Sequence, residues 1–304
     1  MKRFLALNDF TIHELRQYID RALELKQNPG AESGALRGKT LALLFLKSST
    51  RTRVSFEAAM NQLGGGSIYL NPDTTQISRG ETIADTVQTL SRYVDALVAR
   101  LYEHDMLLEM ADNASIPVIN GLTNFNHPCQ ILSDLMTIHE HTGRLEGVRA
   151  VFLGPANNNL VHSMLHAFPQ FGAHLTVCSP KGESPDPSAL QFAQQTARKT
   201  GAQILLTRSP TDAVQNADIV YTDVWFSMHE KPTPERQNAY LPYQVNADLM
   251  RKAPSGALFM HCLPAHRGHE VTDEVADSDQ SIIFDQAENR LHLQKAILLD
   301  LLDT

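Results

Sequence analysis

The chain has 304 residues, room for about two domains of ordinary size, with 42% hydrophobic and 20% charged residues, which excludes disorder as the dominant state. No run approaches the ~20 apolar residues that span a bilayer, and Asp9 interrupts the N-terminus before a signal-peptide apolar region develops. A formal charge of −8 excludes nonspecific binding to nucleic acid or an anionic membrane, though not a local basic pocket. Cys129, Cys178 and Cys262 are too few and too scattered for a disulfide framework or a CxxC metal site, so a soluble, reduced, cytoplasmic protein is expected.

Thr11 with Glu14 reads as a capping box that opens a helix with Leu15, Tyr18, Ile19, Ala22 and Leu23 on its apolar positions. A buried strand is predicted over 41–46. The helix after it carries Phe56, Ala59, Met60 and Leu63 on one stripe and stops at Gly64, Gly65 and Gly66. Strands over 95–100 and 116–120 and a helix over 128–142 follow. The pattern then restarts, with strands over 150–153, 174–178, 203–207, 218–222, 257–262 and 281–284 and a last amphipathic helix over 289–302. The stretch 226–241, rich in Pro, Glu, Gln and Asn, reads as a loop placed for function. Such alternation predicts an α/β fold of two doubly wound parallel-sheet domains, 1–145 and 146–304.

Four motifs carry candidate chemistry, three of them where predicted strands end. Lys47-Ser48-Ser49-Thr50-Arg51-Thr52-Arg53 joins a buried strand to a helix N-terminus. Free N–H groups, cap hydroxyls and guanidiniums there favour an anion site over a merely solvated helix cap. His127-Pro128-Cys129-Gln130 opens a helix, and by itself reads as a structural helix start. In His261-Cys262-Leu263-Pro264 the cysteine ends a strand beside a histidine, although a cysteine is more often simply buried, the reading given to Cys129 and Cys178. Asp223-Val224-Trp225-Phe226-Ser227-Met228 begins the loop; Asp223 there either holds an amine or merely forms a turn. Gly154-Pro155-Ala156-Asn157-Asn158-Asn159 lacks the dinucleotide glycine pattern, and His139-Glu140-His141 has the wrong spacing for a helical zinc site.

Taken together and in order, these motifs resemble the aspartate/ornithine carbamoyltransferase family, and their detail favours its ornithine branch. Ser-Thr-Arg-Thr-Arg with Ser55-Phe56-Glu57 is similar to the family's carbamoyl-phosphate signature. Gln76 to Glu81, Leu90-Ser91-Arg92-Tyr93 and Phe284-Asp285-Gln286-Ala287-Glu288-Asn289-Arg290 match further segments. The chain departs from the family pattern at Leu46, Pro155 and His229. The resemblance implies a carbamoyl-phosphate domain followed by an amino-acid domain, with the last helix packing back on the first. It also implies homotrimers, or multiples of trimers, with sites at subunit interfaces. Carbamoyl phosphate would be bound by Ser49, Thr50, Arg51, Thr52, Arg100, His127, Gln130, Cys262, Leu263 and Arg290, and by Gln76 of a neighbouring subunit. Ornithine would be held by Asn159, Asp223, Ser227 and Met228. The expected catalytic groups are Cys262, Asp223, Arg100 and His127, with no metal or organic cofactor. The expected reaction is transfer to the side-chain amine of ornithine, with a modified ornithine, lysine, putrescine or a diamino acid as the alternative acceptor.

Overall fold

The computed structural model describes residues 2–71, 75–226 and 233–302. The chain forms two compact units, one running up to Met136 and resumed by the helical residues from Glu288, the other from Thr137 to Ala287. Among the described residues no helix is long and apolar enough to cross a membrane.

In the first unit the elements run β1 (Arg3–Phe4), α1 (Ile12–Gln27), β2 (Thr40–Phe45), α2 (Thr50–Gln62), β3 (Gly66–Leu70), α3 (Ile83–Leu90), β4 (Ala96–Arg100), α4 (His104–Asn113), β5 (Val118–Leu122) and α5 (Pro128–Thr142). The capping box is present: Thr11 Oγ1 accepts the Glu14 N–H at 3.3 Å, and Glu14 accepts the Thr11 N–H at 2.7 Å. The sheet is parallel, in the order β1-β5-β4-β2-β3. Leu41, Leu43, Leu44 and Phe45 of β2 are fully buried, as a strand covered on both faces requires.

The second unit runs through β6 (Arg149–Leu153), α6 (Asn159–Ala167), β7 (His174–Cys178), α7 (Pro187–Thr200), β8 (Ile204–Thr207), α8 (Pro210–Val214), β9 (Ile219–Thr222), α9 (Pro234–Tyr240), α10 (Ala247–Met250), β10 (Leu258–Met260), α11 (Asp273–Ala276) and the start of α12 (Ile283–Leu302), whose residues from Glu288 belong to the first unit. Its sheet is also parallel, in the order β10-β9-β6-β7-β8. A core of Val151, Leu153, Val220, Phe259, Val245 and Val271 fixes the two central strands and β10 against the helices of one face.

Each strand order contains one reversal. In the first unit the chain leaves β2 for β3 on one side, then crosses to β4 on the other. In the second it leaves β6 towards β7 and β8, then returns to β9. Open α/β sheets bind ligands at the carboxyl ends of strands flanking such a reversal. Those ends carry residues 46–50 and Arg100 in the first unit, and residues 154–158 and Asp223 in the second.

Three expectations need correction. β3 is a strand that the pattern did not predict. The strand expected over 281–284 is absent: Ser281 makes a single bridge to Phe259, and Ile283 already opens α12, six residues before the expected start of that helix. Within 226–241, read as a loop, Pro234–Tyr240 is helical, capped by the Thr233 side chain; residues 227–232 lie outside the described residues.

α2 ends on Gly64, which takes φ +84°, and an added Cβ there would lie 2.7 Å from the Gly34 Cα. That neighbour is backbone and cannot rotate away. The variant Gly64→Ala is therefore expected to lose about 1–3 kcal/mol of stability from the left-handed conformation and the clash together, measured as a lowered denaturant midpoint at unchanged slope.

Candidate active site

At the end of β2 the chain turns into α2 with Ser49 as N-cap. The Ser49 backbone is extended and its Oγ accepts the Thr52 N–H at 3.2 Å, leaving other first-turn N–H groups directed outward. Thr52, 2% exposed, is the hub of the site. Its Oγ1 accepts from Arg100 Nη1 at 3.5 Å and from Arg290 Nη2 at 3.3 Å. Arg290 arrives from α12 and also donates to Gln130 Oε1, while Gln130 Nε2 donates to Asp134 Oδ1 at 2.8 Å.

The two arginines of the signature divide. Arg53 is committed, with Nε on Glu57 at 3.0 Å and its guanidinium 3.8 Å over the Tyr69 ring of β3. Arg51 is exposed and makes no hydrogen bond or ion pair among the described residues.

His127 precedes α5 and is buried. Burial pushes its pKa well below the ordinary histidine value, and the positive charges of Arg290, Arg100 and Lys47 push it further down. The imidazole is therefore held in its neutral form. Buried cations are costly unless an anion compensates them. What the arrangement can do chemically is hold a small, highly charged anion over the first turn of α2, with hydroxyl, guanidinium and imidazole groups around it.

In the second unit, Cys262 Sγ donates to Asp223 Oδ1 at 3.3 Å, linking the segments that follow β10 and β9. Burial raises the Asp223 carboxyl above its usual value, opposed by His261, the Val224 N–H and the Cys262 thiol. His261 is locked on both ring nitrogens. Nδ1 accepts the Leu263 N–H at 2.9 Å, so the ring proton is on Nε2, which faces Glu270 Oε1 at 3.3 Å. Burial alone would raise the Glu270 carboxyl, but hydrogen bonds from His261 and the His266 N–H hold it below the usual range. Leu263 itself sits at φ +60°, a conformation rare for a non-glycine residue. Donor atoms of Asp223, His261 and Cys262 lie within 4.8 Å of one another. They form a mixed N, O, S set, but both imidazole nitrogens are already engaged, so the trio reads as a polar network rather than a waiting metal centre. Asn159 begins α6, capped by Asn158, whose Oδ1 accepts the Val161 N–H at 2.8 Å.

The sequence of the first unit over residues 2–140 matches the carbamoyl-phosphate-binding domain of aspartate/ornithine carbamoyltransferases, and residues 146–301 match the Asp/Orn-binding domain of the same proteins. The chain belongs to the aspartate/ornithine carbamoyltransferase family. This carbamoyltransferase is 50% identical over 301 residues to an ornithine carbamoyltransferase of Pyrococcus abyssi, covering 98% of this chain and 95% of that protein. It is similar in structure to the ornithine carbamoyltransferase of Pyrococcus furiosus, with TM-score 0.95 and 48% identity over 99% of this chain and 97% of that one. An anabolic ornithine carbamoyltransferase from Campylobacter jejuni superposes with TM-score 0.92 at 37% identity, covering 99% of each chain.

The carbamoyltransferase fold thus brings Thr52, Arg100, Gln130 and Arg290 into one hydrogen-bonded group, with His127 in their field and Ser49 capping the helix below. It brings Cys262 to Asp223. Gln76 lies exposed in a 3-10 turn, Gln76–Arg79, and shares no hydrogen bond with the Thr52 group. Ser227 and Met228, like His229, lie outside the described residues. Glu270 and Asp134 are not marked by the sequence, and Gln286, named there only within a matching segment, accepts the His261 backbone N–H on Oε1 at 2.9 Å. Nothing in the spacing of Glu270 marks it, since 264–272 has no helical or strand period.

The depressed pKa of His127 fixes the sign of a pH effect. The unfolded chain takes up a proton on this residue near pH ~6.5 and the folded chain does not, so the associated stability is complete above that value and falls as the pH drops below it. The variant His127→Asn is expected to flatten the decline of the denaturant midpoint between about pH 6.5 and 5. Identical slopes in the two proteins would mean that the imidazole titrates normally in the fold.

Proposed function

We propose that this carbamoyltransferase transfers the carbamoyl group of carbamoyl phosphate to the side-chain amine of L-ornithine, giving L-citrulline and phosphate. The observation that carries the reading is the convergence of Arg100 and Arg290 on the Thr52 hydroxyl beside the first turn of α2, with a buried His127 kept neutral by burial and by the charges of Arg290, Arg100 and Lys47. A phosphate dianion satisfies that charge, and the relatives of near-half identity over the full chain bear the name ornithine carbamoyltransferase.

In this reading Ser49, Thr50, Arg51 and Thr52 take the phosphoryl oxygens through backbone N–H, hydroxyl and guanidinium donors, joined by Arg290. Arg51 makes no hydrogen bond or ion pair among the described residues and so is the one of the pair available to a ligand. Arg100, His127 and Thr52 donate to the carbonyl oxygen, where negative charge grows as the amine nitrogen attacks the carbonyl carbon. His127 serves as a neutral donor, so it does not compete with the cations for charge. Removing one such donor typically costs ~3–4 kcal/mol of barrier. Gln130, held by Asp134 on one side and Arg290 on the other, faces the carbamoyl amide. The tetrahedral intermediate collapses by breaking the bond from carbon to the bridging oxygen; phosphate leaves with the electron pair and takes up the proton lost from the attacking nitrogen.

The nucleophile must be the free amine, whereas an alkylammonium has a reference pKa near ~10.4. Asp223 and Cys262 orient the amine and ease loss of its proton. Cys262 acts as a polar positioning group, not an acyl carrier, with its thiol directed to Asp223 and its backbone held through His261 and Glu270. The Leu263 backbone completes the carbamoyl site, and Asn159, Ser227 and Met228 hold the amino acid. Fixing the two reactants together supplies much of the acceleration, so no metal or cofactor is assigned a step. We infer a homotrimer, or a multiple of trimers, in which Gln76 enters a neighbouring subunit's site; its exposure and its separation from its own chain's Thr52 group are consistent with that. Three scattered free cysteines accord with a cytoplasmic enzyme.

Steady-state citrulline formation tests the reading. Wild type is expected to turn over, and Arg51→Ala to lose about 10²-fold or more in kcat/KM for carbamoyl phosphate, the equivalent of a bidentate charge-assisted contact. No citrulline from wild type above the Arg51→Ala level would reject it. The variant Asp223→Asn should lower kcat by about 10²–10⁴ while leaving the KM for carbamoyl phosphate in place. A proportional change in both parameters would remove Asp223 from the chemistry.

A further inference from the structure

Glu183 lies on the loop after β7, distant in sequence from every motif above, yet it bonds with both carboxylate oxygens. Oε2 accepts the Ala156 N–H at 3.1 Å, in the turn that leads from β6 to Asn158 and Asn159. Oε1 accepts the Tyr240 hydroxyl of α9. The Tyr240 ring in turn stacks on Trp225, with centroids 5.6 Å apart and planes at 27°, and meets Phe226 edge-on at 5.3 Å. Trp225 is two residues beyond Asp223. The loop carrying Glu183 is itself fixed, because Arg208 donates to the Glu183 carbonyl at 2.8 Å and to the Ser179 carbonyl at 2.9 Å.

We propose that Glu183 is a positioning residue for the amino-acid acceptor: one carboxylate ties the β6 turn that presents Asn159 to the aromatic packing behind Asp223. The inference rests on the acceptor reading given under the proposed function. The chemistry asks for a group with two acceptors at a fixed separation, one for a backbone N–H and one for a phenol. A carboxylate supplies both without rotation, and the N–H it satisfies belongs to a buried residue of the turn. With the carboxylate gone, the turn and α9 are no longer tied to each other, and Asn159 and Asp223 lose their common reference. Glu183 touches no reacting atom, so its effect is on acceptor binding and not on carbamoyl phosphate.

The test measures KM for ornithine, KM for carbamoyl phosphate and kcat in wild type, Glu183→Ala, Glu183→Gln and Tyr240→Phe. The variant Glu183→Ala is expected to raise the ornithine KM about tenfold with the carbamoyl phosphate KM within about twofold of wild type. The variant Glu183→Gln should restore the ornithine KM to within about threefold, because the amide oxygen accepts the Ala156 N–H and the amide nitrogen donates to the Tyr240 oxygen. Tyr240→Phe keeps the ring stack, loses one arm, and should give an intermediate rise of about threefold. Equal changes in the two KM values, or an ornithine KM unmoved in Glu183→Ala, overturn the proposal. Should that variant not fold, an ornithine KM unmoved in Tyr240→Phe overturns it. Wild type that forms no citrulline at all rejects the acceptor reading itself, an outcome visible without any variant.

Discussion

The structure of the first unit depends on keeping like charges close together around a small volume. Arg100 and Arg290 reach one hydroxyl, at 3.5 and 3.3 Å, so their nearest nitrogens are at most about 7 Å apart; repulsion at that separation is on the order of 2 kcal/mol at the effective permittivity of a partly buried site. Lys47 adds to the same field. The fold opposes this repulsion with rigidity: Arg100 ends a strand hydrogen-bonded to β2 and β5, Arg290 is inside a twenty-residue helix, and Thr52 is buried in the first turn of α2. None of the three can drift away without disturbing a core element. In the proposed function, a bound dianion would offset this repulsion.

The second unit holds an acid and a thiol together, the pair that the proposed function sets against the amine. Here charge is kept low. Asp223 is pushed towards its neutral form by burial, and the nearest imidazole has both nitrogens occupied by Leu263 and Glu270. The strand reversal explains why these groups meet. β9 and β10 are neighbours in the sheet, so the residues following each emerge at the same edge, and Asp223 reaches Cys262 across 39 residues of sequence. The same reversal sets the β6 turn beside the end of β9. Both units therefore use the one feature of an open parallel sheet that leaves a crevice at the strand ends, and each fills it with opposite chemistry.

Much of this was legible in the sequence. The strand-to-helix junction at Ser49, the capping box at Thr11, the stripe Phe56, Ala59, Met60, Leu63 and the alternation of elements are local signals, and local signals survive folding. The failures were those of tertiary context. β3 starts at a glycine and is an edge strand of mixed exposure, so neither a period of two nor a buried run marks it. Ile282, Ile283 and Phe284 look like a strand because β-branched and aromatic residues favour one, but only Ser281 pairs with Phe259 and the chain then coils into α12. Arg290 stands 238 positions from Thr52; no periodicity links the two, and only the family resemblance pointed there. Glu270 and Glu183 were invisible for the same reason. Each is an acidic residue in an irregular loop, where acidic residues are ordinarily solvated.

The missed strand also governs how the signature should be read. Arg51 and Arg53 are chemically equal in the sequence, and Glu57 at i+4 offers only a weak helical pair. What decides between them is Tyr69, supplied by β3, whose ring takes the Arg53 guanidinium at 3.8 Å. Cation–π contact and ion pair together hold Arg53, whereas Arg51 makes no hydrogen bond or ion pair among the described residues. Net charge leads to the same distinction between global and local. A chain of formal charge −8 repels a dianion at long range, yet at physiological ionic strength that repulsion is screened beyond ~8 Å. In the proposed function the anion, within that distance, would meet Arg51, Arg100, Arg290 and Lys47 and the N-terminus of α2. On that reading the pocket's own charges govern association, and the acidic exterior does not oppose it.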